Sequence, residues 1–139
     1  MATRPPPRPH ILKTVGFWIA ALMGVLQALN AVRAFAAPVT FADYMGLPLE
    51  HTSDVGFVHV YGLRAAFIAI LVVLFLGLRR FDALAWTAVA ALVMPVGDAL
   101  LAHNAGAPLA TVSRHAAIAV YVLAAFFVLR RTAASELRR

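Results

Sequence analysis

Asp98 stands in the stretch Met94, Pro95, Val96, Gly97, Asp98, Ala99, Leu100, where a helix breaker and a carboxylate interrupt an otherwise apolar run. A charge held in hydrocarbon costs about 2.5–3.5 kcal/mol on insertion scales, so a carboxylate at that depth marks a candidate functional site. In a poor solvent its affinity for a proton is tunable, as general acid–base catalysis requires, and His59 or His115 offers a proton-transfer counterpart. Further polar side chains interrupt the other apolar runs. Gln27, Asn30 and Arg33 recur every third residue and wind a polar strip along one helix; His59, Tyr61 and Arg64 open a second run, His103 closes a third, and Arg114 with His115 opens a fourth. Three arginines, Arg33, Arg64 and Arg114, face one carboxylate, Asp98. Arginine cannot discharge by losing its proton, so the excess calls for acid borrowed from a loop, through Glu50 or Asp54 acting as a lid, or for a bound anion such as a carboxylate or phosphate. Arg64 and Asp98 each lie five residues in from a terminal histidine, His59 and His103, and are expected to pair. The plainer readings are Arg33 snorkelling to headgroups and a structural salt-bridge network around Arg64 and Arg114.

The elements that must position these groups are membrane helices. The chain has 139 residues, 63% of them hydrophobic and 13% charged, against roughly 45–50% apolar residues in a soluble domain. Four apolar runs, 15–35, 57–78, 83–102 and 109–129, are each long enough to cross a hydrocarbon core of about 30 Å. The fold expected is all-α: an integral membrane four-helix bundle with a short interfacial helix between spans one and two. Residues 1–13 read as a disordered, basic, Pro-rich tail, residues 14–130 as the four-span domain, and residues 131–139 as a second basic tail. Ala34, Phe35 and Ala36 resemble a signal-peptidase site, but the apolar run before them is long for a signal peptide and reads as an uncleaved helix. Ala20, Gly24 and Ala28 recur every fourth residue and let another helix approach closely.

The connection between spans one and two is the long one. Pro38 opens a short helix with Phe41, Tyr44, Met45 and Leu47 as its apolar bulk, and Gly46 with Pro48 ends it. Nine of the 12 Lys and Arg residues lie at the two termini and at Arg79–Arg80. The positive-inside rule therefore places both termini in the cytoplasm of a multi-pass protein of the cell (inner) membrane, and the acidic loop outside. On that orientation the intramembrane polar residues all fall in the outer half, and a shared polar pocket satisfies them together. The cations sit where topology needs them, so the net charge of +6 does not indicate nucleic acid. Zero cysteines exclude disulfides, thiolate metal sites, iron–sulfur clusters and c-type haem attachment, and the sequence suggests no metal site.

Four segments resemble the family called domain of unknown function 4267, small four-span membrane proteins. They are Phe41 to Pro48 ending in Gly46, Leu47, Pro48; Tyr61, Gly62, Leu63, Arg64; Pro95 to Leu100 around Asp98; and Arg114, His115 followed by Ala119, Val120, Tyr121. The family pattern carries an acidic residue after the arginine of the second span, where this chain has Ala65. The resemblance implies a four-span fold and brings no established activity.

Two classes of function lead from this reading. One is a site for an anionic amphiphile, lipid-like or isoprenoid, with Arg114 or Arg33 on its head and Asp98 placed for acid–base chemistry of an isomerase or hydrolase type. The other is a non-catalytic assembly subunit, docked to a membrane partner or a second copy through Ala20, Gly24 and Ala28. A b-haem module using two of His59, His103 and His115, and a proton-coupled transporter built on Asp98, are further alternatives. The inner half offers a transporter no polar path within one monomer. Membrane lipids are partners under every reading.

Overall fold

A computed structural model describes residues 11–138; the Pro-rich stretch 1–10, expected to be a disordered tail, lies outside the described residues, as does Arg139. Ile11–Lys13, the last three residues of that expected tail, form a 3-10 turn. Thr14 then caps helix α1, Val15–Ala36, by accepting from the Phe17 amide at 3.3 Å, satisfying one of the orphan donors of the first turn. The short helix α2, Pro38–Met45, follows after one residue, with proline at its first position. Then come α3, Val55–Gly77; α4, Phe81–Ala91; α5, Val93–Asn104; and α6, Leu109–Leu137. The described residues form no strand.

Four helical spans, Val15–Ala36, Val55–Gly77, Phe81–Asn104 and Leu109–Leu137, are long and apolar enough to cross a membrane. The third consists of α4 and α5 with a break at Leu92, three residues before Pro95. Proline lacks the amide that would bond the carbonyl of Ala91 one turn back, and the ladder continues past the break through Val96 N to Leu92 O at 3.3 Å. The helix of the fourth span runs eight residues beyond 129, because Thr132, Ala133 and Glu136 find partners on the rest of the bundle. A methyl group added at Gly16 would meet Thr132 at 2.5 Å, Ala133 is 8% exposed, and Glu136 binds Arg79 at 2.7 Å.

Packing follows the small residues. α1 lies along α3, with Gly24 against Val72, and Gly62 of α3 against Ala34 and Phe35. α6 packs on α4 and α5, and α1 also meets α6, so two hairpins, α1–α3 and α4/α5–α6, join through α1 and α6. Ala20 and Gly24 are spent in this intramolecular packing, while Ala28 is exposed. The main core consists of residues such as Met23, Val72, Phe81, Leu84, Val122 and Leu129, with Tyr121 packed against it and donating its hydroxyl to the Ile19 carbonyl at 2.7 Å. A smaller core of Ala34, Phe41, Ala42, Met45 and Val58 sits under α2. α3 makes no substantial packing contact with α5, and this gap at the α2 end of the bundle is where the polar side chains collect.

Candidate functional site

The site is assembled by the C-terminus of α2. Gly46 adopts a left-handed conformation with φ +80°, and its amide and that of Leu47 take up the carbonyls of Asp43 and Ala42. The carbonyls of Tyr44 and Met45 then have no partner within the helix. Two residues of α6 supply them: the Arg114 guanidinium donates to the Tyr44 oxygen, and His115 Nε2 lies 3.1 Å from the Met45 oxygen. A carbonyl only accepts, so Nε2 carries the hydrogen and Nδ1 is left as the nitrogen able to take a proton. His115 is 2% exposed. The negative end of the α2 dipole also favours the Arg114 guanidinium.

Tyr44 is bound a second time through its ring. The Arg114 guanidinium carbon lies 3.7 Å from the ring centroid and that of Arg33 5.6 Å, so α2 is held by cation–π contacts from α1 and α6. This is the residue that sequence reasoning missed. It read as apolar bulk, and the sequence signal was indirect: three arginines in the spans against one carboxylate, an excess that an aromatic face helps to satisfy.

Beneath α2 is a small polar chamber of about 50 Å³. Gln27 and Asn30 reach it from α1, Tyr44 and Met45 from α2, Tyr61 from α3, Pro95 and Asp98 from α5, and Arg114 and His115 from α6. The kink before Pro95 and the helical spacing put Asp98 one turn further along the same helix. Gln27 Oε1 and Arg114 Nε are buried without a hydrogen-bond partner.

Adjoining the chamber is a larger vestibule of about 320 Å³ in the gap between α3 and α5, roofed by α2. Its walls are Phe41, Ala42, Met45, Leu47, Leu49, Phe57, Val58 and Leu101, with Tyr61, Arg64 and Asp98 as its polar groups. Met45, Tyr61 and Asp98 belong to both spaces, so Asp98 stands at the partition between an apolar vestibule and a polar chamber.

Arg64 and Asp98 line the vestibule without pairing; the ion pairs among the described residues are Arg79–Glu136 and Arg80–Asp82. The expected salt bridge fails because its two helices, although consecutive in sequence, do not pack on each other, and the arginine is exposed. Asp98 shares the chamber with His115 instead. Other expected site residues lie elsewhere. His59 stacks on Phe35 at 5.2 Å, His103 is exposed at the end of α5, and Arg33 lines two neighbouring hollows, one with Thr40 and Tyr44 and one with Gln27, Asn30 and Tyr44. Of the three histidines, His115 is the one lining the chamber. Glu50 is exposed and Asp54 accepts from Ser53; neither borders the chamber or the vestibule, and α2 covers both spaces in their place.

The family model for a domain of unknown function, DUF4267, matches residues 21–129, which includes every residue lining the chamber and the vestibule. The chain belongs to this family. No curated protein and no solved structure matches it significantly. Membership assigns no reaction, and the multi-pass helical bundle rests on the four apolar helices themselves. Of the resemblances noted in the sequence, the segments around Gly46, Tyr61, Asp98 and Arg114–His115 are those that converge here, although they lie on four different helices.

Proposed function

We propose that this protein binds an anionic amphiphile in the vestibule, with its apolar part among Phe41, Phe57, Val58 and Leu101 and its head at Arg64, and that Asp98 exchanges a proton with it. The observation that carries this reading is the placement of Asp98 at the junction of an apolar and a polar space. Arg64 replaces Arg114 as the anion anchor. Arg114 is committed to the ring and carbonyl of Tyr44, whereas Arg64 has no ion-pair partner among the described residues.

The gap between α3 and α5 favours entry sideways from the bilayer, and the vestibule has the dimensions of a ligand pocket at the small end of the usual range of about 300–1,000 Å³. With both termini and Arg79–Arg80 in the cytoplasm, the vestibule faces the outer leaflet of the cell membrane. Proton transfer at a carbon or oxygen next to the anionic head is the chemistry a partly buried carboxylate and a nearby imidazole support. Isomerisation and hydrolysis are the reaction types in keeping with it.

Mass spectrometry of small molecules co-purifying with the detergent-extracted protein tests the reading. An anionic amphiphile is expected in the wild type and depleted in Arg64→Gln, while Asp98→Asn retains it unreacted. Equal small-molecule profiles for the wild type and Arg64→Gln, both folded, would overturn it.

A further inference from the structure

We infer that the chamber behind Asp98 is a buried water site, and that its waters connect Asp98 to His115 as a path for protons. The geometry has three parts. Gln27 Oε1, an acceptor, and Arg114 Nε, a donor, are buried atoms without partners, and both side chains line the same small space. A buried polar atom left unpaired is costly, and the usual resolution is an ordered water with two to four polar neighbours. The space measures about 50 Å³, and each water needs about 10–15 Å³ of such volume, so a small cluster fits and an amphiphile does not.

Its other polar neighbours are suited to the same occupant. Asn30 and Tyr61 add hydrogen-bonding groups, and Asp98 and His115 complete a ring of donors and acceptors. His115 keeps its Nε2 hydrogen on the Met45 carbonyl and has Nδ1 free to accept. One proton can then move without net consumption of anything. Asp98, having taken a proton from a molecule in the vestibule, gives it to a water as that water gives one of its own to His115 Nδ1, and the reverse shift restores both groups. The water site stands on geometry alone; its use as a proton path rests on the acid–base reading above.

The test uses the full chain in lipid nanodiscs with water as the probe. In the wild type, nuclear magnetic resonance is expected to show a cross-peak between Arg114 Nε–H and a long-lived water. Gln27→Leu, an apolar change on an apolar helix, is expected to weaken that cross-peak and lower the melting temperature by several degrees, because it removes an acceptor the water uses. If the chamber is dry, the Arg114 Nε–H shows no water cross-peak and Gln27→Leu raises the melting temperature by relieving an orphan amide; either result overturns the water site. The proton path is read separately. An unchanged 15N chemical shift and line shape at His115 Nδ1 in Asp98→Asn would overturn it even with the water in place, and the co-purification experiment above is independent of both.

Discussion

Arg114 and Arg64 carry the same charge but contribute unequally to stability. Arg114 gives a carbonyl its hydrogen bond and places its guanidinium 3.7 Å from the Tyr44 ring centroid. A charged hydrogen bond contributes about 1.5–3 kcal/mol and a cation–π contact about 0.5–2 kcal/mol. Arg114→Gln is therefore expected to lower unfolding free energy by about 2 kcal/mol, measured by thermal or denaturant unfolding in detergent. Arg64 is exposed and outside any ion pair among the described residues, so Arg64→Gln is expected to change stability by less than about 0.5 kcal/mol. A loss for Arg64→Gln equal to that for Arg114→Gln would mean that Arg64 is a structural charge and not an anchor. His115→Phe keeps the buried ring and leaves the Met45 carbonyl unpaired, which costs about 1–3 kcal/mol.

At the scale of the element, α2 is the piece on which the site depends. Its eight residues are too few for an isolated helix to persist, so its position comes from what holds its end. Gly46 is the point to test. A left-handed conformation costs a residue with a side chain about 1–2 kcal/mol. An added methyl group would also come within 2.8 Å of Thr111 and 2.9 Å of Ala107. Gly46→Ala is expected to lower the melting temperature, expose the α2 amides to hydrogen exchange and deplete the bound amphiphile together. Retention of ligand with a displaced α2 would show that the vestibule does not need its roof. The break at Leu92 has the same standing for Asp98, which lies six residues beyond it on α5 and borders both spaces.

For the molecule as a whole, a dry core fills the end that bears Arg79 and Arg80, and the polar chemistry is confined to the end that bears α2. The dry end is closed by the Arg79–Glu136 bridge, whose side chains are 26% and 23% exposed. A pair of that exposure contributes about 1 kcal/mol or less. Glu136→Gln should accordingly speed amide exchange over residues 131–137 and leave ligand binding unchanged. The orientation can be read directly because the chain has no cysteine. In intact cells, Glu50→Cys is expected to react with a membrane-impermeant maleimide, and Ser135→Cys to react only after permeabilisation. The reverse pattern would place the vestibule in the cytoplasmic leaflet.

The amino-acid sequence determined the four-span helical bundle, because length and hydropathy in a bilayer leave few alternatives and each span carries its own signal. It also put Gln27, Asn30, Arg33, His59, Arg64, Asp98, His103, Arg114 and His115 in one half of the bundle, since depth follows from residue count and chain direction. Rotation about each helix axis and the choice of neighbours are set by side-chain packing between distant segments, and these only the tertiary structure decided. Thus Arg64 and Asp98, matched in depth, lie on helices that do not pack together, while Tyr44 and Met45, far from α6 in sequence, meet Arg114 and His115. The carbonyls that hold the site belong to the backbone, which every residue type carries alike, so no reading of side chains points to them.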